Sequence, residues 1–373
     1  MRIVSVSEDH NIEKRIAITP DIARKYIALG LEVSLPENYG EHLGFKDNEY
    51  KELGVETSKN EADVLNSADI IVQLGLLSDD NLSLLKENQN LIGVFNPHIN
   101  KEKIETLAKT NINVFSLEML PRITRAQSMD ILSSQANLSG YKAVIEAFAN
   151  FEKAIPMMMT AAGTIPAAKV LVVGAGVAGL QAIATAKRLG ARVEAFDTRD
   201  VVEEQVNSLG AKFVKIDLGE TGQTDQGYAK ELTPEQIIKQ KDLQSEVCAR
   251  SDIVITTAQL FGRPAPQLID SKTIDKMKPG SVIFDMAVES GGNVEGSVVD
   301  EIIIKNGVKI IGVSNLASNV SGHASLALSN NFNHWICDFY DKDTSSINFD
   351  FEDEIVKSSV IAFDGKILNE RFQ

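Results

Sequence analysis

Three glycines with the spacing G-x-G-x-x-G form the pattern in this sequence that is best suited to chemistry. Gly174, Gly176 and Gly179 follow the apolar run KVLVV and precede an alanine-rich helical pattern that ends at Gly190. In such a turn the first glycine permits a tight bend, the second lets the backbone approach a pyrophosphate, and the third lets the helix pack close to the strand. The helix N-terminus then offers unpaired N–H groups and a positive dipole end to the phosphates. The pattern predicts a dinucleotide-binding turn between a strand and a helix.

A carboxylate at the end of the apolar run that follows the glycine pattern indicates which dinucleotide, NAD(H) or NADP(H), would bind. Asp197 ends RVEAFD and follows Gly174 by 197 − 174 = 23 residues, where an acidic side chain can accept both hydroxyls of the adenosine ribose. A 2′-phosphate would be repelled there, so the pattern favours NAD(H) over NADP(H). Arg199 could instead hold a 2′-phosphate, but beside Asp197 we prefer to interpret it as a solvated arginine at a helix start.

A second polar group of residues precedes a long helical pattern. Residues 121–135 read PRITRAQSMDILSSQ, and the helix is expected to begin near Ser128. Asp130 and Ser133 in this stretch could serve only to cap that helix. The side chains with the chemistry to hold a polar ligand or a neighbouring loop are Arg122, Gln127 and Asp130.

A glycine-rich polar stretch, DLGETGQTDQGYAKELTPEQ, occupies residues 217–236 and argues against regular structure. Long loops of this kind in compact domains are usually either disordered or lids. Tyr228, its only aromatic residue, could fold over a bound nicotinamide or could be an incidental tyrosine on an exposed loop. Composition alone does not separate these two interpretations.

Composition excludes several classes of partner and site. The chain has 37 Lys+Arg and 52 Asp+Glu, a formal net charge of −15, so nucleic acid and anionic lipid are poor direct partners. The start, MRIVSVSEDHN, lacks the apolar core of a signal peptide, and no run reaches the ~18 apolar residues of a membrane span. The two cysteines and five histidines lack disulfide or metal-ligand spacing. We therefore expect a soluble, cytoplasmic protein without a metal site.

Short β-branched runs alternate with helical patterns along the chain. Such runs include RIVSV, DIIVQLG and LIGVFN early in the chain, and KVLVV, DIVITT and SVIFD later. This alternation predicts parallel sheets covered by helices, and 373 residues exceed one ordinary core. We therefore predict an α/β fold of two Rossmann-like domains. Residues 1–130 plus 315–373 would form a discontinuous N-terminal domain, and residues 131–314 the nucleotide-binding domain.

Three local features lead to further structural expectations. Met157–Met159 lie in a proline-rich connection, and we expect them to be buried where the chain enters the second sheet. Asp364 and Gly365 between apolar runs predict a hairpin that returns the C-terminal segment to the first domain. One face of the long helix is predicted to carry the apolar residues Leu138, Tyr141, Ile145 and Phe148.

Several long stretches are far more specific than the glycine pattern: RAQSMDILSSQANLSGYKAV, PMMMTAAGTIPAAKVLVVGAGVAGLQAIATAKRLGA, QGYAKEL, GRPAPQLI and MKPGSVIFDMAVESGGNVEGS. Through them nearly the whole chain resembles domain I, the NAD(H)-binding component of the proton-translocating nicotinamide nucleotide transhydrogenases, in the form of a separate soluble alpha-1 subunit. The resemblance implies that hydride passes directly between the C4 atoms of two nicotinamides, so the site positions two rings and moves no proton.

The same resemblance implies roles for individual residues. Arg122, Gln127 and Asp130 match a family loop that lies against the nicotinamide and meets the NADP(H)-binding component. Ser133 would bind the carboxamide, and Tyr228 would belong to the lid. Gln259 stands in TTAQ where the family more usually has leucine, so a contact there would come from the backbone. Arg125 would be only a surface partner for a docking protein. The remaining implied nucleotide contacts are Val177, Thr198, Arg199, Gly227, Gln240 and Ala258.

The implied assembly is a homodimer that docks to two other subunits. One is a membrane-embedded proton channel and the other holds NADP(H), so the chain would be peripheral to the cytoplasmic face of the inner membrane. Alone it would bind NADH and catalyse little, because the second nucleotide has its site on another chain.

Alanine dehydrogenase, which the family resembles in fold, is the alternative. Arg15 in EKRIAITP matches an arginine that grips the substrate carboxylate in those enzymes. Their lysine is missing, because Gln73, Leu74 and Gly75 stand in that region, and their histidine position falls nearer residues 96–97 than His98. Without the second cation a substrate carboxylate loses most of its electrostatic hold. A non-catalytic NAD sensor is a third possibility.

Overall fold

The structure is a computed structural model that describes residues 1–215, 233–260 and 262–373. The described chain divides into two compact units. Unit 1 comprises Met1–Gln135 and Ser318–Gln373, and unit 2 comprises Ala136–Ala317. These divisions fall five residues and three residues later than the boundaries expected from the sequence, after residues 130 and 314.

The strands and helices alternate along most of the chain. The strands are β1 (Arg2–Val4), β2 (Glu32–Pro36), β3 (Glu56–Ser58), β4 (Ile70–Gln73), β5 (Asn90–Gly93), β6 (Asn113–Ser116), β7 (Met158–Thr160), β8 (Gly163–Ile165), β9 (Lys169–Val173), β10 (Arg192–Phe196), β11 (Lys212–Phe213), β12 (Ile253–Thr256), β13 (Val282–Asp285), β14 (Ile302–Lys305), β15 (Val308–Gly312), β16 (Tyr340–Asp341), β17 (Ser346–Ile347), β18 (Val360–Phe363) and β19 (Lys366–Ile367). The α-helices are α1 (Pro20–Leu29), α2 (Asp47–Glu52), α3 (Glu61–Asn66), α4 (Asp79–Leu82), α5 (Lys101–Lys109), α6 (Ile131–Ala149), α7 (Val177–Arg188), α8 (Glu203–Ser208), α9 (Pro234–Arg250), α10 (Ser271–Asp275), α11 (Ser321–Phe339) and α12 (Glu354–Ser359).

Unit 1 contains a sheet in the order β19-β18-β6-β5-β4-β1-β2-β3. The strands from β6 to β3 pair in parallel, as expected where helices connect successive strands. Strand β18 joins β6 in the antiparallel direction and forms a hairpin with β19. Asp364 (φ 48°) and Gly365 (φ 75°) form its two-residue turn, so the predicted hairpin and the return of the C-terminal segment to the first sheet are confirmed.

Unit 2 contains a sheet in the order β11-β10-β9-β12-β13-β15-β14, parallel apart from the edge strand β14. From β9 the chain moves to β10 and β11 on one side and then to β12 and β13 on the other. Ligands of open α/β sheets bind at the carboxyl ends of the strands where this reversal occurs, here between β9 and β12. The predicted α/β fold, with two Rossmann-like domains and a discontinuous first domain, is confirmed.

The long helix differs from its prediction at both its start and its buried face. Thr124–Met129 form a 3₁₀ segment, and α6 begins only at Ile131. The fully buried side chains of α6 are Ala143, Val144 and Ala147. Of the predicted face, Phe148 is partly buried against their cluster, whereas Tyr141 is 40% exposed. The small residues face the core because they let the helix lie close to the buried residues of β9 and β10, with which they share a cluster.

The expectation for Met157–Met159 was wrong. The chain forms an antiparallel ribbon, β7–β8, that is a separate two-stranded sheet and pairs Met158 with Ile165. Met157 is 55% exposed and Met159 84% exposed. The apolar run therefore lies on a surface ribbon, because its strands pair with each other and not with the sheet that follows.

Candidate functional site

The glycine turn lies at the carboxyl end of β9, at the strand-order reversal of unit 2. Gly174 has φ +102°, a conformation that favours glycine, and its N–H donates to the Phe196 carbonyl at 2.8 Å. A Cβ at Gly179 would clash with the Gly174 carbonyl oxygen, so this position needs glycine for packing. At Gly176 (φ −77°) a Cβ would meet no heavy atom of the described chain within 4 Å. Neither conformation nor packing among the described residues explains Gly176, which fits a residue kept small for an approaching pyrophosphate.

Asp197 and Arg199 form a close ion pair beside this turn. Each oxygen of the Asp197 carboxylate accepts two N–H groups: Oδ1 from the backbone and Nε of Arg199, both at 2.9 Å, and Oδ2 from Ala175 N (2.7 Å) and Arg199 Nη2 (2.8 Å). The two side chains are only 6% and 13% exposed. The hydrogen bond to Asp197 raises the pKa of Arg199 above its usual value. The interpretation of Arg199 as a solvated arginine was therefore wrong.

The ion pair changes what Asp197 can offer a nucleotide. Its carboxylate is oriented by the backbone of the glycine turn, as a ribose-binding carboxylate needs to be. A ribose diol would share its oxygens with the Arg199 guanidinium or displace that group. Two predicted contacts adjoin this pair and the glycine turn: Thr198 is half-buried between the two charged residues, and Val177, the first residue of α7, is 37% exposed.

The loop after β12 lies beside the glycine turn. The Thr257 hydroxyl donates to the carbonyl oxygens of Val173, at 3.3 Å, and Gly174, at 3.1 Å. These bonds connect the loop after β12 to the glycine turn. Gln259 Nε2 donates to the Met286 carbonyl at 3.0 Å. The N–H and C=O of Ala258 are both bonded to the side chain of Asn293. Thr257 lies in the TTAQ motif that the resemblance implied, whereas sequence reasoning missed Asn293, although the tripeptide GGN within MKPGSVIFDMAVESGGNVEGS was available as a signal.

The remaining predicted contacts of unit 2 are Gln240, on α9, and two residues of the predicted lid. Gln240 lies on α9, is buried, and donates through Nε2 to Gln244 Oε1 at 3.3 Å. Gly227 and Tyr228, with most of the predicted lid, lie outside the described residues.

In unit 1, Arg122, Gln127 and Asp130 of the predicted catalytic residues line one open cleft of about 260 Å³. It is lined by Pro121, Arg122, Ile123, Thr124, Ala126, Gln127 and Asp130. Asp130 accepts from the backbone N–H of Ser133 at 2.9 Å and from its hydroxyl at 2.6 Å. The capping role considered for Asp130 and Ser133 is thus present, because this carboxylate closes the first turn of α6. Capping orients the Ser133 hydroxyl and leaves the oxygen of that hydroxyl able to accept a further bond.

The cleft segment is anchored from its far side. The Arg125 guanidinium pairs with Asp338 and Asp353 and lies 5.7 Å from the centre of the Phe339 ring. Asn331 Nδ2 donates to the Ser128 carbonyl at 2.8 Å. Arg125 is therefore engaged within unit 1 and is more than a surface partner for a docking protein.

The residues that would distinguish an amino-acid dehydrogenase are engaged with other groups in unit 1. Arg15 bonds both carboxylate oxygens of Glu13, at 2.9 and 2.7 Å, and Gln135 at 2.8 Å. Gln73, in the region without the lysine, is buried and donates to Glu8 Oε1 at 2.7 Å. Burial raises the pKa of Glu8 to about 7. A substrate carboxylate would have to compete with Glu13 for the one matching cation.

The described residues contain neither a candidate metal-binding cluster nor a helix able to span a membrane. No group of three or more His, Cys, Asp or Glu side chains in them is arranged to hold a metal ion. In the same ranges, no helix combines the length and the apolar composition that crossing a bilayer requires.

These features define a class: an α/β protein of two Rossmann-like units, the second carrying the glycine turn and acidic strand end of a dinucleotide-binding domain. Family models place the chain within that class. The model described as "Alanine dehydrogenase/PNT, N-terminal domain" matches residues 5–139, and "Alanine dehydrogenase/PNT, C-terminal domain" matches residues 143–370. The chain belongs to the alanine dehydrogenase/PNT family.

Individual relatives show whether the chain is more similar to transhydrogenases or to alanine dehydrogenases. A protein of Rickettsia prowazekii, named as the first part of the NAD(P) transhydrogenase alpha subunit, is 44% identical over 373 residues, 99% of this chain and 96% of that protein. The crystal structure of transhydrogenase from Sinorhizobium meliloti has a TM-score of 0.85 at 39% identity, with 99% of each chain covered. An L-alanine dehydrogenase structure has a TM-score of 0.82 at 21% identity, covering 100% and 98% of the two chains, which indicates a shared fold alone. The resemblance to the transhydrogenase component is confirmed, and alanine dehydrogenase is the more distant relative.

Proposed function

We propose that this chain is the NAD(H)-binding component of a proton-translocating nicotinamide nucleotide transhydrogenase. In this role it passes a hydride between NADH and NADP⁺, and the NADP(H) is held on a partner subunit. The observation that carries the proposal is the full-length similarity, at 44% identity, to a protein named as the first part of the NAD(P) transhydrogenase alpha subunit. The two candidate sites, one in each unit, support it.

Unit 2 is proposed to hold NAD(H) through the glycine turn. Gly176 fits this group because its missing side chain is explained by neither conformation nor packing in the described chain. The N-terminus of α7 faces phosphate with N–H groups and a positive dipole end, and Asp197 accepts from the adenosine ribose. Bound NADH supplies a hydride from C4 of its nicotinamide. Val177, Thr198, Gln240 and the backbone near Gln259 are proposed as further contacts, as is Gly227.

The cleft of unit 1 is proposed to contact the nicotinamide by the family pattern. Ser133 would accept from the carboxamide with the oxygen that Asp130 orients, and so select the ring face presented. Gln127 can donate to one nucleotide and accept from another, and Arg122 adds a fixed positive charge. None of these groups needs to gain or lose a proton, because hydride transfer between two rings requires orientation and not acid–base chemistry. Tyr228 is proposed to cover the bound ring.

The assembly is proposed to be a homodimer docked to partner subunits at the cytoplasmic face of the inner membrane. The exposed ribbon β7–β8 supports dimerisation, because an isolated two-stranded ribbon with exposed methionines gains stability when another surface covers it. The partners are a membrane-embedded proton-channel subunit and an NADP(H)-binding subunit. Proton translocation would then take place in subunits other than this one.

The test combines binding with reconstitution. Fluorescence titration should show NADH binding more tightly than NADPH, and the purified chain alone should transfer little hydride. Addition of the NADP(H)-binding component should produce transhydrogenation, and Gln127→Ala should slow it with little change in NADH affinity. Absence of transfer in the reconstituted wild type, despite NADH binding, would favour the sensor interpretation and contradict the proposal.

The matching Arg15 keeps alanine dehydrogenase as the second candidate. That enzyme would oxidise NADH steadily with pyruvate and ammonia and would need no partner chain. We expect no such oxidation, because Arg15 is held by Glu13 and the second cation is missing from the region of Gln73, Leu74 and Gly75.

A further inference from the structure

One buried amide side chain, that of Asn293, bonds the loop after β12 at both Ala258 and Pro266. Asn293, which is fully buried, accepts from the Ala258 N–H through Oδ1 at 3.1 Å and donates from Nδ2 to the Ala258 carbonyl at 2.8 Å. Nδ2 also donates to the Pro266 carbonyl at 2.8 Å. One side chain thus fixes both backbone groups of Ala258 and the far end of the same loop. An amide suits this task because it carries a donor and an acceptor side by side.

Asn293 is itself oriented by a buried carboxylate at the end of β13. The two oxygens of Asp285 accept from Asn293 N–H at 3.2 and 3.0 Å, and they also accept from Ala287 N–H at 3.0 Å and Val294 N–H at 3.2 Å. Gly292 (φ +80°) lets the backbone wrap around this carboxylate, because a Cβ there would lie 2.8 Å from Asp285 Oδ2. The chain of contacts therefore runs from β13 through Asn293 to the loop after β12.

The position of this loop relates it to one half of the proposed nucleotide site. Asp197, proposed to hold the adenosine ribose, directly follows β10 on one side of β9, whereas β12 and β13 lie on the other side. A dinucleotide that crosses the reversal point places its adenosine half on the β10 side and its nicotinamide half on the β12 side. The segment held by Asn293 is therefore on the nicotinamide side.

We propose that Asn293 is a positioning residue for the nicotinamide half of NAD(H). It acts through the backbone of residues 257–259 and does not itself touch the nucleotide. The proposal rests on the proposed function of unit 2 and deepens it. A loop displaced by even a fraction of an ångström loses fixed contacts with one half of the ligand while the adenosine half keeps its own.

The test compares NADH with 5′-AMP, which contains only the adenosine half, on the full-length chain. For Asn293→Ala we expect the Kd of NADH to rise about tenfold, the equivalent of about 1.4 kcal/mol, and the Kd of 5′-AMP to stay within about twofold. Ser281→Ala is the matched control. It removes a buried hydroxyl that donates to the Ser251 carbonyl at 3.5 Å, just before β13 and so at the opposite edge of the sheet, and should leave both Kd values unchanged.

Each outcome decides between alternatives. An equal loss of NADH and 5′-AMP affinity would show that Asn293 only supports the fold of unit 2, and unchanged NADH affinity would show that the loop does not serve the ligand. Either result overturns the proposal. If Asn293→Ala does not accumulate as folded protein, Asn293→Ser is measured against the same criterion. Failure of the wild type to bind either nucleotide would instead overturn the proposed function of unit 2.

Discussion

Replacing Asp197 by alanine tests the choice of nucleotide, because the substitution removes the carboxylate and leaves its arginine partner in place. In the wild type, Asp197 accepts four N–H groups and Arg199 is mostly buried against it. In the variant the adenosine ribose loses its acceptor and Arg199 loses its counter-charge. We therefore expect weaker NADH binding together with stronger NADPH binding, since a guanidinium that no longer pairs with this carboxylate suits a 2′-phosphate.

The magnitude follows from the geometry of the carboxylate. A hydrogen bond to a charged group contributes about 1.5–3 kcal/mol. The ribose hydroxyls share oxygens that Arg199 and Ala175 already use, so the net contribution corresponds to about one such bond and not two. A loss of about 2 kcal/mol raises the Kd of NADH roughly 30-fold. For NADPH we expect a gain of about tenfold, smaller than the loss for NADH, because Arg199 remains partly buried and its exchange of partners is incomplete.

The assay is fluorescence titration of the full-length chain with NADH and with NADPH, and the double variant Asp197→Ala/Arg199→Ala is the control. The double variant should keep the loss of NADH affinity and lose the gain for NADPH. Wild-type NADH affinity in Asp197→Ala would refute the assignment of the ribose to this carboxylate. A gain for NADPH that persists without Arg199 would refute the role given to the guanidinium.

Further predictions concern the glycine turn, a buried carboxyl and the surface ribbon. Gly176→Ala should leave the melting temperature nearly unchanged and weaken NADH binding at least tenfold. Gly179→Ala should lower the melting temperature, because only the Cβ at Gly179 clashes within the protein. Equal melting temperatures of the two variants would contradict this contrast. Burial raises the pKa of Glu8 from 4.5 to about 7, so its contribution to stability is full below pH 4.5 and is lost as the pH rises through 7. Relative to Glu8→Gln, the free energy of unfolding of the wild type in urea should therefore fall across this range, by on the order of 3 kcal/mol at most, and parallel curves would show that Glu8 titrates normally. Met159→Glu, at a residue that is 84% exposed, should convert the proposed dimer to a monomer in light scattering while NADH still binds; an unchanged mass would exclude the ribbon from the interface.

Features set by neighbours in sequence were predictable. The G-x-G-x-x-G turn after a β-branched run, the alternation of strands with helices and the Asp364-Gly365 hairpin each depend on a few consecutive residues, and the structure contains all three. The meeting of Arg122, Gln127 and Asp130 at one cleft follows from their short spacing in the chain.

Features that depend on how the chain folds back on itself were not predictable from local patterns. Met157–Met159 have the composition of a buried strand, but their pairing with residues 163–165 places them on a surface ribbon. Arg199 forms an ion pair with Asp197 because the turn after β10 brings the two side chains together. Asn293 lies 35 residues from the Ala258 backbone that it holds, and no periodicity links the two.

Deuterium tracing in the reconstituted system tests the central claim most directly. NADH carrying deuterium at the transferred C4 position is incubated with this chain, the NADP(H)-binding component and NADP⁺, and the NADPH formed is examined by mass spectrometry. Direct transfer between two rings predicts that the deuterium appears in NADPH without dilution by solvent hydrogen. NADPH that carries solvent hydrogen, or NADH oxidation that needs pyruvate and ammonia and forms no NADPH, would contradict the account.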